Sequence, residues 1–211
     1  NFDEPKNGNA GYGANPPAIG VDFFEGPYQD ADGIDNYGPY NDTINGVITP
    51  AVMNVAAAIA DDGIVYPGVG IGYKDGIIDN ERFGMRRFSY YINGANAAKA
   101  DPSTAAQFYN YMSGKWRFGD EMVFGGTGYV GDPGAVNGLH ADYMFPGDSD
   151  PLFWSTGGTP TSFDWAENNT GATDNQPGDR RFVQSAGPFT LRPGAINNIT
   201  VGIVFAKGGE G

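Results

Sequence analysis

Two short acidic loops in the sequence combine carboxylates with a glycine in a spacing that suits calcium. Residues 30–36 read DADGIDN and residues 75–81 read DGIIDNE, so both contain Asp-Gly-Ile followed by Asp-Asn. Calcium takes roughly six to eight oxygen ligands, and a turn permitted by glycine lets closely spaced carboxylates and a backbone carbonyl converge on one ion. The loops therefore predict at least one calcium ion, although Asp, Gly and Asn also make ordinary turns.

Neither loop supplies the full ligand set of an EF-hand. Aligned on Gly76, the first ligand position falls on Ile71 and the twelfth falls on Arg82 instead of Glu, and alignment on Gly33 fails in the same way. We therefore expect residues distant in the sequence to complete the coordination, with the alternative that the two half-loops share one site. Calcium would then tie the N-terminal third of the chain to the rest. The predicted ligands are Asp22, Asp30, Asp32, Asp35, Asp75, Asp79 and Glu81, with Glu25, Asp61 and Asp62 as further candidates, and a separate metal site is considered at Asp148 and Asp150.

The chain offers few groups for catalysis. His140 is the single histidine, cysteine is absent, and no serine lies in a Gly-x-Ser-x-Gly or Ser-x-x-Lys motif, so we predict no catalytic residue and a structural hydrogen bond for His140. The run at 125–128 (GGTG) opens no helix and supplies no lysine for phosphate. A carboxylate pair for glycoside hydrolysis stays open as an alternative. Trp116, Trp154 and Trp165 could stack on sugars, although aromatic side chains more often fill cores.

The composition excludes several classes of partner. The 211 residues include 25 acidic and 12 basic side chains, with a net charge of −13. Such a surface repels phosphates, so we expect no nucleic-acid partner, and no basic cluster is long enough to attract an anionic membrane. No run approaches the roughly 18 apolar residues that cross a bilayer, so no membrane span is expected. The lack of cysteine excludes disulfides and thiolate metal sites.

The elements that must position these loops are mostly strands. Strands are predicted at 86–92, 115–118, 181–187 and 199–206, and helices at 50–60 and 102–112, the second with Asp101 as N-cap and Gly114 as its terminator. Long ordered loops are predicted between residues 125 and 180. The fold class is therefore mainly β, an antiparallel β-sandwich (Ig-like or jelly-roll-like) with long Gly/Asp-rich loops and two short helices. Residues 1–20 form an extended arm before a single domain at 21–211.

Two runs carry a resemblance to a known group of proteins. Residues 177–194 (PGDRRFVQSAGPFTLRPG) and 70–85 (GIGYKDGIIDNERFGM) resemble segments of uncharacterised secreted cell-surface proteins of Bacteroidota that use the type IX secretion system. The resemblance implies export to the outer cell surface or the medium, as one portion of a longer chain. In that phylum Asp-Thr-aliphatic is an acceptor for O-glycosylation, which makes Thr43 a glycosylation candidate.

The functional expectation combines these points. It is a non-enzymatic extracellular surface protein, stabilised by calcium, that serves adhesion or assembly into a larger extracellular structure. Its partners would be copies of itself or other surface proteins, with glycans as a further option, and the arm could add a strand to a neighbour's sheet. One alternative is a carbohydrate-binding or glycosidase-like module with exposed aromatics. Another is an accessory domain of a secreted protease.

Overall fold

The computed structural model shows a mainly β protein with antiparallel sheets, which confirms the predicted class at this level. It describes residues 17–29, 31, 33–35, 70–73, 75–94, 97–150, 153–172, 175, 178–189 and 191–207, together with the backbone of the short strands at 42–44 and 47–49. The elements in chain order are β1 (Pro17–Glu25), β2 (Asp42–Ile44), β3 (Val47–Thr49), β4 (Arg87–Ile92), α1 (Ala105–Met112), a 3-10 helix (Trp154–Thr156), β5 (Arg180–Ser185) and β6 (Thr200–Lys207). The strands pair as β1–β6, β2–β3 and β4–β5.

The β4–β5 pair supports the core because both of its faces are covered. Tyr90 lies on one face and packs edge-on against Trp116, with ring centroids 5.6 Å apart. On the other face, the hydroxyls of Ser89 and Ser185 donate to carbonyls at the end of α1, those of Tyr111 and Met112. Cover on both sides explains why the adjacent residues Ser89 and Tyr90, which point to opposite faces, are both buried.

An aromatic cluster held by glycine-rich loops forms the centre of the core. The indole N–H of Trp116 donates to the carbonyl of Gly128 at 2.8 Å, and that of Trp165 donates to Gly126 at 3.1 Å. Gly128 has a φ of +82°, and a Cβ there would lie 2.1 Å from Met144 Cε. The run at 125–128 therefore supplies acceptors to two buried indoles, which is a structural role and agrees with the rejection of a phosphate loop.

The helix α1 begins later than predicted. Thr104, not Asp101, is the N-cap, and its side chain accepts a hydrogen bond from the amide of Gln107, whose own side chain accepts from Ser103. This Thr-x-x-Gln arrangement resembles a capping box, and it outweighs the Asp-Pro signal upstream. The end agrees with the prediction, because Gly114 follows the C-cap with a left-handed φ of 73°.

One strand prediction is wrong. Residues 115–118 form one isolated bridge and a turn instead of a strand, because Lys115 pairs only with Glu121 before the chain reverses. The C-terminal strands β5 and β6 belong to different pairs: β5 pairs with β4, and β6 pairs with β1. The predicted boundary at residue 20 lies within β1.

Several predictions fall outside the described residues. These are the arm over residues 1–16, the helix at 50–60, and the candidate ligands Asp30, Asp32, Asp61 and Asp62; Thr43 lies in β2, whose backbone alone is described. Over the described part of the chain, no helix has the length and apolar character needed to cross a bilayer.

Candidate functional site

The two Asp-Gly loops lie side by side because the segments that lead into them pair. The amide of Gln29 donates to the carbonyl of Glu81, and the amide of Phe83 donates to the carbonyl of Pro27, so residues 26–29 run antiparallel to 81–83. We call these short paired segments the stems. The first loop follows its stem after residue 29, and the second loop precedes its stem and ends at residue 81. Chain geometry thus brings together two acidic segments more than 40 residues apart, since Asp35 and Gly76 are separated by 41 positions.

The loops then hydrogen-bond to each other in a reciprocal way. The amide of Gly33 donates to Asp79 Oδ1 at 2.9 Å, and the amide of Gly76 donates to Asp35 Oδ2 at 2.8 Å. Both glycines have a left-handed φ, 83° and 88°, which side chains rarely tolerate. Each loop therefore uses its glycine amide to hold a carboxylate of the other loop.

A third carboxylate braces the second loop from within. Asp75 Oδ1 accepts from the amide of Ile77 at 2.8 Å, and Asp75 Oδ2 accepts from the side-chain amide of Asn80 at 3.0 Å. Asp79, at a φ of 58°, adopts the left-handed conformation that Asp tolerates better than most residues. The paired loops thus hold Asp35, Asp75 and Asp79 through hydrogen bonds to backbone and amide groups.

Among the described residues, two of the remaining predicted ligands, Glu81 and Asp22, form no metal-binding group with this cluster. Glu81 is buried in the stem, and Asp22 is exposed in β1 opposite Gly202. Within the described ranges, no three His, Cys, Asp or Glu side chains form a group that could hold a metal ion. Since Asp30 and Asp32 belong to the first loop but lie outside those ranges, the calcium prediction stays a prediction.

Asp150 has a structural task in the loop region. Its two carboxylate oxygens accept from the amides of Trp154 and Ser155, both at 2.8 Å, and this caps the 3-10 helix. Asp148 is exposed. Calcium at this second place stays a prediction as well.

Arg82 joins three segments next to the loops and was not predicted as a functional residue. Its Nε donates to the carbonyl of Gly26 and its Nη2 donates to the carbonyl of Asn198, both at 2.8 Å. The guanidinium also lies 4.6 Å from the centre of the Tyr28 ring and 3.5 Å from a carboxylate oxygen of Glu25. In the sequence, Arg82 stands out only because it occupies the twelfth position of the EF-hand alignment, where Glu is expected. Nothing local in the sequence reveals its distant carbonyl partners.

Asn197 completes this junction from the C-terminal side. Its side chain accepts from the amide of Tyr28 at 2.9 Å and donates to the carbonyl of Tyr28 at 3.2 Å. A carboxamide that satisfies both backbone groups of one residue acts like a strand neighbour. Together with Arg82, it fastens the first stem to the segment that precedes β6.

His140 belongs to a buried charge network, in agreement with its predicted structural hydrogen bond. Its Nε2 lies 2.9 Å from Asp142 Oδ1, and the same carboxylate receives Arg86 at 2.6 Å and Arg87 at 2.8 Å. Burial alone would raise the pKa of Asp142, but the hydrogen bond with His140 and the charges of Arg86 and Arg87 bring this pKa below its usual value. The network therefore pairs the buried carboxylate of Asp142 with two arginines and a histidine.

The three tryptophans do not form an exposed row. Trp116 and Trp165 are fully buried, whereas Trp154 is half-buried and lines a cavity of about 440 Å³ together with Phe23, Phe145 and Asp150. A cavity of this volume can hold a small ligand. The carbohydrate alternative therefore depends on Trp154 rather than on an aromatic surface strip.

Comparison with known proteins adds no relative: no protein-family model, no curated protein and no solved structure matches this chain.

Proposed function

We propose that the chain is a non-enzymatic extracellular surface module in which the paired Asp-Gly loops bind calcium, and that it serves adhesion or assembly into a larger extracellular structure. The observation that carries the proposal is the reciprocal hydrogen bonding between the two loops, Gly33 to Asp79 and Gly76 to Asp35. It gathers carboxylates from two distant segments, and calcium prefers such oxygen ligands. An ion here would be held by Asp35, Asp75 and Asp79 together with Asp30 and Asp32.

The charge balance supports a cation at this place. The paired loops contribute Asp35, Asp75 and Asp79 to a chain whose net charge is −13, and a divalent cation bound there would reduce this negative charge. The amides of Gly33 and Gly76 already hold two of these carboxylates. Calcium would thereby lock the stems that tie the start of the chain to its body.

Assembly is supported by apolar strands that the described structure leaves open to solvent, most of all Ile203 and Phe205 of β6. We further propose that the strand pairs belong to a β-sandwich (Ig-like or jelly-roll-like), and that the chain is exported to the outer cell surface. Export rests on the resemblance of residues 177–194 and 70–85 to type IX secreted proteins. Thr43, in the Asp-Thr-aliphatic pattern, is the proposed site of O-glycosylation.

Thermal unfolding with calcium or EGTA tests the calcium site. An ion that binds only the folded state at about 100 times its Kd stabilises by about 2.7 kcal/mol, which for a chain of this size raises Tm by roughly 5–10 °C. The double variant Asp35→Asn/Asp79→Asn should lose this increase yet fold, because an Asn side-chain oxygen still accepts the glycine amides. Asp164→Asn, at an exposed carboxylate far along the chain from both loops, is the matched control.

Two results would contradict the proposal. One is a wild-type Tm that is the same in calcium and in EGTA. The other is a calcium-dependent increase that persists in the double variant, which would place the ion away from the paired loops.

A carbohydrate-binding module is the second candidate, and the cavity beside Trp154 favours it. Its lining combines aromatic rings with the carboxylate of Asp150, the combination that stacks on a sugar ring and accepts from its hydroxyls. Titrating glucose, galactose and N-acetylglucosamine while following tryptophan fluorescence tests this candidate. A response that vanishes in Trp154→Ala supports it, and no response to any of the three sugars eliminates this cavity as their site.

A further inference from the structure

The β1–β6 pair forms a two-stranded ribbon with one continuous apolar face. Residues that pair across an antiparallel ladder point to the same side, and successive residues alternate. The register pairs Ile19 with Phe205, Val21 with Ile203 and Phe23 with Val201. One face, which we call the apolar ribbon face, therefore carries Ile19, Val21, Phe23, Val201, Ile203 and Phe205, with Pro17 and Lys207 paired at its end.

The opposite face is different in kind. It carries the exposed carboxylate of Asp22, and its two large apolar side chains lie over glycines of the neighbouring strand. A Cβ at Gly202 would come within 2.4 Å of the Phe24 ring, and one at Gly20 within 2.8 Å of Val204. Phe24 and Val204 are still 60% and 57% exposed, so the two faces differ in the carboxylate of Asp22 and in the number of large apolar side chains rather than in exposure.

The body of the protein covers one end of the apolar ribbon face. Phe23 lines both the cavity beside Trp154 and a second groove of about 620 Å³. Away from this end the side chains stay exposed, with 44% for Ile19, 52% for Val201, 72% for Ile203 and 66% for Phe205. Ile199, which directly precedes β6 and lines the same groove as Phe23, is 55% exposed.

The exposed area approaches that of a small specific interface. With about 200 Å² for a fully exposed residue of this size, the four exposed members of the face and the adjoining Ile199 present on the order of 550 Å² of apolar surface. Monomeric proteins seldom expose more than a few hundred Å² in one patch. Two such patches packed together bury about 1,100 Å² before any rim is counted, close to the roughly 1,200 Å² at which specific interfaces begin.

We propose that a second copy of this chain covers the apolar ribbon face, so that the ribbons of two copies pack face to face about a two-fold axis. Sheets pack in this way at about 10 Å, and two-fold pairing of one patch with itself is the commonest arrangement of oligomers. The one charged residue that the register places on this face is Lys207, opposite Pro17 at its end, so the net charge of −13 brings no carboxylate into the interface. A basic partner finds no carboxylate on this face.

Packing of two copies would also stabilise the ribbon. An isolated two-stranded sheet is marginally stable in water, and a second layer supplies the apolar contacts that it lacks. The inference rests on the assembly part of the proposed function, since it names the partner for that assembly.

Sedimentation velocity on the wild-type chain and two lysine variants tests the dimer. Ile203→Lys places a charge on the apolar ribbon face, whereas Val204→Lys, with Val204 57% exposed on the same strand, places the same charge on the opposite face near Asp22. We expect a wild-type dimer with a Kd in the micromolar range. Ile203→Lys should weaken it by at least about tenfold, as at a central interface residue, while Val204→Lys leaves it within about twofold. Circular dichroism shows whether each variant is folded.

Salt separates a second copy from a partner of opposite charge. Screening reduces repulsion between two chains of charge −13, so the dimer should strengthen as NaCl rises. A wild-type chain that stays monomeric up to about 100 µM at both low and high salt overturns the inference. Equal weakening by both lysine variants also overturns it, because the contact would then run along the strand edge instead of one face. The calcium-dependent Tm is an independent readout, so a monomer that still shows this increase refutes the dimer alone.

Discussion

Arg82 gives the strongest test of how the loops are joined to the body, because one side chain serves three segments. We consider Arg82→Met, which keeps an unbranched apolar side chain at this position and removes the guanidinium. The loss includes the bonds to the carbonyls of Gly26 and Asn198, each at 2.8 Å, and the contact with the Tyr28 ring at 4.6 Å. The stem 26–29 would then be held by its backbone pairing and by Asn197.

The magnitude follows from the surroundings of each contact. The bond to Gly26 is partly buried, and a hydrogen bond from a charged donor contributes about 1.5–3 kcal/mol. The bond to Asn198 is exposed and competes with water, and the contacts with Tyr28 and Glu25 contribute up to about 1 kcal/mol each. We expect the free energy of unfolding to fall by about 3 kcal/mol in total, which lowers Tm by roughly 6–12 °C in a chain of this size.

Urea denaturation of wild type, Arg82→Met and the control Arg181→Met measures this difference. Arg181 is an exposed arginine of β5 that pairs with Asp101 at 2.7 Å, and such surface pairs contribute about 0–1 kcal/mol. If Arg82→Met costs no more than Arg181→Met, the junction does not hold the stem, and the account of how the loops are positioned is wrong.

Two further predictions concern the core and the helix. Asp142→Asn should lower the free energy of unfolding by about 3 kcal/mol in urea denaturation at pH 7, because Arg86 and Arg87 would face a neutral amide in a buried place. Since the folded state lowers the pKa of Asp142 below its usual 3.8, its stabilisation is complete above about pH 5 and is lost as the pH falls below 3.8 through the lower folded-state pKa, so the stability of the variant should depend less on pH in this acid range. Thr104→Ala should cost about 1 kcal/mol by thermal unfolding, whereas Asp101→Ala, at the N-cap that the sequence favours, should not lose a cap bond.

Local patterns identified four of the eight observed elements, and β1, β2, β3 and the 3-10 helix were not predicted. The aromatic and β-branched runs predicted β4, β5 and β6, and Gly114 predicted the end of α1, because strand propensity and a left-handed cap depend on neighbouring residues. The long loops between residues 125 and 180 followed from their glycine and proline content. The start of α1 was wrong, since two capping signals lie three residues apart and side-chain geometry chose Thr104.

The candidate site was predicted in part. The repeated Asp-Gly-Ile pattern identified both loops, and the structure joins them through the bonds of Asp35 and Asp79 to the opposite glycines. That distant residues complete the coordination of calcium stays a prediction. The sequence did not reveal Arg82 as the residue that joins the segments. Its partners are backbone carbonyls, which every residue carries, so no sequence pattern marks them.

The sequence by itself determined the acidic charge, the glycine-rich turns and the strands β4, β5 and β6, because these depend on composition and on residues a few positions apart. Tertiary structure alone decided that β1 pairs with β6, that the two loops exchange hydrogen bonds, and that the apolar ribbon face lies open. Pairing of distant segments is chosen by the free energy of all their contacts together, set against the entropy of closing long loops. That balance belongs to the whole chain and is not encoded in any one of its segments.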